Sequence, residues 1–143
     1  MSLSYQRDET KTLSKVITDL KAKGKKMQEQ EVLRIMASII LALNETHNKK
    51  FIHRNLSSTH VLYSEDHGNV KLISHANVPF KKHWENKKYD GQIWCEHYYL
   101  CEDVASGTRE YEDADDIYEV GIVLHEILTM STPDKPAYTA TFY

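Results

Sequence analysis

Residues 51–62 read Phe51-Ile52-His53-Arg54-Asn55-Leu56-Ser57-Ser58-Thr59-His60-Val61-Leu62, and they identify the architecture more sharply than any other part of the chain. The middle of this stretch is polar, and both of its ends are apolar. It separates a long apolar-periodic segment from two short β-like segments. It therefore predicts a polar loop between a buried helix and a β-hairpin.

Three helices are predicted around this loop. The segment Glu29–Asn48 carries a broad apolar stripe, which indicates a mostly buried helix. The stripe consists of Val32, Leu33, Ile35, Met36, Ile39, Ile40 and Leu43. A shorter helix is predicted from about Thr12 to Lys23, with Gly24 suited to its end. A third is predicted from near Asp115 to near Met130; it is apolar nearly all round, which is typical of the centre of a domain.

The rest of the chain is predicted to be hairpin or loop. Residues 61–63 and 69–73 are expected to form two strands around an acidic turn that contains Gly68. From residue 74 to residue 97 no period emerges, and a loop of that length is usually functional or mobile. Residues 1–10 are expected to be extended or loop-like, and residues 132–143 irregular.

Composition limits the classes of function. The chain has 143 residues, which is enough for one compact domain, and its net charge of −3 gives no reason to expect nucleic acid as a partner. No apolar run approaches the roughly 18 residues of a membrane span. The two cysteines form no C-x-x-C pair and favour a reducing compartment. We therefore expect an intracellular, cytoplasmic protein that binds neither nucleic acid nor membrane.

The stretch His53-Arg54-Asn55-Leu56, followed by Val61-Leu62, resembles the catalytic loop of eukaryotic protein kinases, H-R-D-L-K-x-x-N-[IV]-L. The segment 116–121, Asp-Ile-Tyr-Glu-Val-Gly, resembles the D-[IV]-W-S-x-G helix start of that superfamily. Segments 13–18, 31–36, 41–47 and 136–140 resemble the NIMA-related (NEK) serine/threonine kinases most. The resemblance implies a mainly α (α+β) fold, with helices around a buried central helix and a small β-hairpin. Residues 1–143 would form a partial kinase domain from the hinge to just past the central helix, without an amino-lobe.

The same resemblance assigns four positions to kinase chemistry. Asn55 matches the catalytic aspartate, Ser57 the loop lysine, His60 the Mg²⁺-binding asparagine and Ser74 the aspartate of D-F-G. An amide can hold a hydroxyl but cannot accept its proton, and Mg²⁺ prefers charged oxygen ligands. The resemblance therefore implies a pseudokinase, which is not an enzyme, has no catalytic, cofactor-binding or metal-binding residues, and needs no ATP or Mg²⁺.

Other matching positions are expected to be structural or to bind a partner. Asp116 matches the buried aspartate that binds the catalytic-loop backbone, and His53 matches the histidine that packs on it. Arg54 would pair with a carboxylate such as Glu85 or Glu96. The aromatic residues of the long loop could form a surface for a protein partner: Trp84, Tyr89 and Trp94. We expect a signalling scaffold or allosteric regulator, with self-association through apolar surface that a partial domain leaves uncovered.

Two alternatives remain open. The first is an active NEK-type Ser/Thr kinase that uses ATP and Mg²⁺ with non-standard residues. The second is a metal site made from Cys95, His97 and Cys101, or from His60 and His75, since such ligands suit Zn²⁺. The cysteine and histidine spacing matches no known zinc finger, and loop residues of these types are commonly ordinary surface or core residues.

Overall fold

The computed structural model describes residues 10–64, 68–73 and 99–132. In chain order, the described elements are β1 (Thr10–Thr12), α1 (Leu13–Ala22), α2 (Glu29–Asn48), a 3₁₀ turn (Ser58–His60), β2 (Val61–Ser64), β3 (Asn69–Leu72), α3 (Glu102–Ala105) and α4 (Asp113–Thr129). The described part is thus mainly helical with a small sheet, as the resemblance to a kinase carboxy-lobe implies.

The helix bounds follow the predicted ones closely. The prediction for α2 is confirmed at both ends. Helix α1 begins one residue later than predicted, because Thr12 is its N-cap and its side-chain oxygen accepts a hydrogen bond from Lys15 N at 3.3 Å. Gly24 follows the C-cap with a φ of +62°, the left-handed conformation that glycine adopts at little cost. Helix α4 begins at Asp113, two residues before the predicted start.

The sheet has three strands, not the two of the predicted hairpin. β2 pairs with both neighbours in antiparallel fashion, Thr12 opposite Leu62 on one side and Val61 opposite Leu72 on the other. The sequence predicted residues 1–10 to be extended or loop-like and a helix from about Thr12, so it assigned no strand where β1 lies, at Thr10–Thr12. Three residues are too few to show a period, and the strand owes its conformation to its pairing with β2.

The main core lies between α1, α2, α4 and the sheet. Its members are Leu13, Val16, Ile17, Met27, Val32, Ile35, Met36, Ile39, Leu43, Leu56, Val61, Tyr63, Tyr99, Val120, Val123, Ile127 and Met130. Two members of the predicted α2 stripe, Leu33 and Ile40, are instead 62% and 49% exposed in the described part. No helix in the described ranges is both long enough and apolar enough to cross a bilayer.

Helix α4 departs from the prediction that it is apolar nearly all round. Ile117 and Leu128 are more than half exposed, whereas the carboxylates of Asp116, Glu119 and Glu126 are buried. Buried acids are rare unless they are hydrogen-bonded, so these three are expected to have partners inside the fold. Their partners lie in, or lead to, the loop at residues 53–58.

Candidate functional site

The first buried acid of α4 binds the start of the loop. Asp116 is fully buried, and its two carboxylate oxygens accept hydrogen bonds from the backbone amides of His53 and Arg54, both at 2.9 Å. The same oxygens accept from His47 Nε2 at 2.7 Å and from the Tyr111 hydroxyl at 2.8 Å. Arg54 has a φ of +64°, and these bonds hold its peptide in that uncommon conformation.

The second and third acids continue the same pattern along the helix. Glu119 accepts a hydrogen bond from the Leu56 amide at 2.7 Å. Glu126 accepts from the Tyr99 hydroxyl at 2.6 Å, and the Tyr99 oxygen accepts from the Ser58 amide at 3.3 Å. Asp116, Glu119 and Glu126, which we call the acidic row, thereby hold the amides of residues 53, 54, 56 and 58.

Sequence reasoning identified only the first member of the acidic row. Glu119 and Glu126 could have been recognised from their spacing, because positions 116, 119 and 126 fall on one face of a helix beside Val120, Val123 and Ile127. An acidic residue on the apolar face of a buried helix indicates that its carboxylate accepts hydrogen bonds inside the fold. Tyr99 could not have been assigned from a local pattern, because its two partners, Glu126 and Ser58, lie 27 and 41 positions away in the chain.

Burial shapes the protonation of this cluster. Burial raises the pKa of Glu119 well above its usual value, and the nearby charge of Asp116 raises it further. The hydrogen bond from the Leu56 amide lowers this pKa, but by less than burial raises it. Tyr111 also lies near Glu119, but its single proton goes to Asp116, so Glu119 Oε1 accepts no hydrogen bond from a described residue. Burial and Glu126 raise the pKa of Tyr99, which therefore stays a donor.

Replacing Glu119 by glutamine should remove a pH-dependent decrease in the free energy of unfolding. The unfolded carboxyl titrates near pH 4.5, and the folded one titrates higher. Between these two values the folded state keeps a proton that the unfolded state has released, so the free energy of unfolding falls as pH rises. Because glutamine does not ionise, Glu119→Gln should be more stable than the parent by about 1–2 kcal/mol at pH 8. Below pH 4.5, where Glu119 is protonated in both states, the free energies of unfolding of the two chains should be closer to each other.

Urea denaturation of both chains from pH 4 to pH 8 measures this difference. Glu45→Gln is the matched control, because Glu45 is an exposed glutamate on α2. Parallel pH profiles for the Glu119→Gln chain and its parent would contradict the assignment of a buried, proton-holding carboxyl to Glu119.

The loop brings together three of the four positions that resemble kinase catalytic residues. Asn55 is half-buried and Ser57 is buried. Ser57 Oγ lies 2.8 Å from His60 Nδ1 and 2.7 Å from Thr59 Oγ1. Asn55 is positioned by its neighbours in the chain, because the amides of residues 54 and 56 on either side of it are held by the acidic row.

Ile73, the residue after β3, contacts the same loop. The Ile73 amide donates to the His60 carbonyl at 2.8 Å, and the Ile73 carbonyl accepts from His53 Nε2 at 3.1 Å. Ile73, the last described residue of this segment, therefore lies beside the loop. Ser74 itself lies outside the described residues, as do the predicted partner-binding aromatics Trp84, Tyr89 and Trp94 and the carboxylates considered for Arg54.

A second polar cluster, which the sequence did not predict, braces the start of α4. Asp115 accepts two hydrogen bonds from Arg109, both at 2.7 Å, and one from the Cys101 thiol at 3.0 Å. The Arg109 guanidinium holds the pKa of Asp115 down at about 2. Asp115 also closes a capping box with Glu112, so this pair caps the helix, and Asp116 is left to bind the loop.

The metal alternative gains no support from this cluster. Cys101 was one of its candidate ligands, but here the thiol donates to Asp115, and burial raises its pKa. Within the described ranges, no three His, Cys, Asp or Glu side chains are grouped as metal ligands. The other candidate ligands, His75, Cys95 and His97, lie outside those ranges.

The sequence of the chain matches a known protein family and several of its members. Residues 3–140 match the protein kinase domain family. The chain is 27% identical over 135 residues to serine/threonine-protein kinase nekl-2 of Caenorhabditis elegans, covering 91% of this chain and 37% of the relative. It is 26% identical over 124 residues to the probable serine/threonine-protein kinase nek2 of Dictyostelium discoideum, covering 85% and 28%. It is 27% identical over 110 residues to serine/threonine-protein kinase pakH of Dictyostelium discoideum, covering 77% and 20%.

These matches correct one expectation. The chain was expected not to be an enzyme, and that expectation is wrong, because the matched family is an enzyme family and all three relatives are named Ser/Thr protein kinases. Two of them carry NEK-type names, at low identity. The chain spans 20% to 37% of the length of these three relatives. By its match over residues 3–140, the chain belongs to the protein kinase domain family.

Proposed function

We propose that the chain forms the catalytic-loop part of an ATP-dependent Ser/Thr protein phosphotransferase of NEK type, working with non-standard residues. One observation carries this proposal: the acidic row holds the amides of residues 53, 54, 56 and 58. The family match and the NEK-type names of two relatives support the reaction class and the subfamily.

Phosphoryl transfer depends strongly on a loop that holds the reacting groups in fixed positions. Phosphoryl transfer passes through a loose transition state, and catalysis comes chiefly from positioning and electrostatic stabilisation. The amide of Asn55 can hold a substrate hydroxyl in line with a phosphate, although it cannot take the proton. That proton must pass to water or to a phosphate oxygen, so we expect transfer to be slower than with a carboxylate at this position.

Mg²⁺, which the family implies, does not fit the described loop. Mg²⁺ prefers carboxylate oxygens in near-octahedral geometry. The described loop offers instead the amide of Asn55, the hydroxyl of Ser57 and the imidazole of His60. The described residues therefore supply no dedicated Mg²⁺ ligand set, and the proposal gives no loop residue a metal-dependent step.

The test is transfer of radiolabelled γ-phosphate from ATP to Ser/Thr peptides by the intact protein that contains this chain. Asn55→Ala should lower the rate about tenfold, because one hydrogen bond to the substrate hydroxyl is lost. Asn44→Ala is the matched control, since Asn44 is an exposed asparagine on α2. No transfer above background by the parent, or equal rates for the parent and Asn55→Ala, would overturn the proposal; the first result would favour a role through protein contact alone.

A further inference from the structure

The exposed side of α4 carries almost no charge. The helix contains no lysine or arginine, and its four acidic residues after Asp113 are all buried: Asp115, Asp116, Glu119 and Glu126. Ile117 and Leu128 are instead 52% and 55% exposed. Single exposed apolar residues are normal on a protein surface, but a helix with its charges inside and its apolar residues outside is not. Such a surface usually marks an interface.

The apolar residues on this side of α4 form one stripe. Ile117, Gly121, Leu124 and Leu128 follow one another at intervals of four, three and four residues, which places them on one side of the helix. Leu124 is half-buried and packs partly on the main core. Apart from the chain neighbours of Gly121 and the backbone of its own helix, no described atom lies within 4 Å of the point where its Cβ would stand. The stripe therefore has large side chains at both ends and a gap at Gly121.

Helix α2 extends this surface. Leu33, Ile40 and His47 are spaced by seven residues and therefore share one side of α2. His47 binds Asp116 at 2.7 Å, and α2 packs against α4, so this side of α2 is turned toward α4. Leu33 and Ile40 are both exposed. We call the combined surface the α2–α4 face, and its members are Leu33, Ile40, Ile117, Gly121, Leu124 and Leu128.

The stripe on α4 is complementary to a copy of itself. When its middle lies on a two-fold axis between antiparallel α4 helices, Ile117 of one copy faces Leu128 of the second copy, and Gly121 faces Leu124. Each leucine at the centre then fills the gap above a glycine, since large and small residues interdigitate across a packed contact. Because the acidic residues after Asp113 are buried, the stripe brings no like charges together. These features favour a second copy of the chain as the occupant.

The size of the α2–α4 face agrees with a weak dimer. Two neighbouring helices about 25 Å long and about 10 Å apart offer a surface of roughly 500 Å². A typical stable complex buries about 800 Å² on each partner, and smaller contacts are commonly weak and transient. We therefore expect a dissociation constant of about 10–100 µM.

We propose that the α2–α4 face binds a second copy of this chain, with the two α4 helices antiparallel and Gly121 of each copy receiving Leu124 of the other. Glu119 and Glu126 of the acidic row project from the opposite side of α4. Dimerisation therefore leaves the loop at residues 53–58 uncovered, and it does not depend on the proposed function.

Sedimentation equilibrium of the 143-residue chain, over about 5–500 µM, measures this association. The parent should show a monomer–dimer equilibrium. Ile117→Lys and Leu128→Glu should each weaken the dimer about 30-fold, because each places two unpaired charges in the contact. Leu41→Glu is the matched control, since Leu41 is an exposed leucine on another side of α2 and its substitution should leave the dimer unchanged. Circular dichroism checks that all variants keep the helical content of the parent.

Mixing the two charged variants tests the antiparallel register. The ammonium introduced in Ile117→Lys faces the carboxylate introduced in Leu128→Glu, so an equimolar mixture should associate more tightly than either variant alone. A parent that stays monomeric at every concentration would overturn the inference and would indicate that another segment or another protein covers the face. A dimer that neither substitution weakens, equal weakening by Leu41→Glu, or a mixture no tighter than its separate components would also overturn it.

Discussion

Asp116→Ala should destabilise the chain by about 4 kcal/mol, the largest effect that we expect from a single side chain. The substitution removes a fully buried carboxylate that accepts hydrogen bonds from His53 N, Arg54 N, His47 Nε2 and the Tyr111 hydroxyl. Each buried donor left without an acceptor costs about 1–3 kcal/mol.

Urea denaturation at pH 7, followed by circular dichroism, measures this loss. Tyr111→Phe removes only one of the four donors and should cost about 1 kcal/mol, which keeps the test quantitative if Asp116→Ala does not fold. Asp113→Ala is the matched control, because Asp113 is an exposed aspartate in the same helical turn. An Asp116→Ala chain within about 1 kcal/mol of the control would contradict the role of Asp116 in holding the loop.

Asn55→Asp should raise the rate of phosphate transfer by about 100-fold, because a positioned general base contributes roughly 10²–10⁴ to such reactions. The substitution exchanges an amide for a carboxylate of the same shape and leaves the neighbouring held amides in place. The carboxylate can accept the proton of the substrate hydroxyl, which the amide cannot do.

The gain is measured as kcat with a Ser/Thr peptide and ATP, on the intact protein. Asn44→Asp adds the same negative charge at an exposed position on α2 and should leave kcat unchanged. A kcat for Asn55→Asp equal to that of the parent would show that residue 55 does not face the reacting hydroxyl. A gain that also appears in Asn44→Asp would show a general effect of charge.

The sequence predicted the helices well because their information is local. Helix α2 has seven apolar residues at helical spacing, and both of its ends were predicted correctly. Strand β1 was missed because three residues carry no period and its conformation depends on pairing with Leu62, Tyr63 and Ser64. Leu33 and Ile40 were wrongly placed in the core, because apolar type predicts burial only when a partner element covers that side of the helix.

The site was predictable only in part, for a related reason. The resemblance to a kinase loop directed attention to His53, Arg54 and Asp116, but Glu119 and Glu126 act on residues more than 60 positions away or through Tyr99. Such contacts follow from the packing of α4 beneath the loop. The inference that the chain is not an enzyme failed because it judged activity from side-chain types at four positions, whereas the chain belongs to an enzyme family and its relatives are named Ser/Thr protein kinases.

Amide hydrogen exchange at His53, Arg54, Leu56 and Ser58 tests most directly whether the acidic row holds the loop. We predict that all four amides exchange at least about 100-fold more slowly than unprotected peptide amides. In Asp116→Asn one carboxylate oxygen becomes an NH₂ group that cannot accept, so at least one of the amides of His53 and Arg54 should lose protection. Leu56 and Ser58 should keep theirs, because Glu119 and the pair Glu126–Tyr99 remain. Exchange of all four amides at unprotected rates in the parent chain would contradict a held loop, and with it the observation that carries the proposed function.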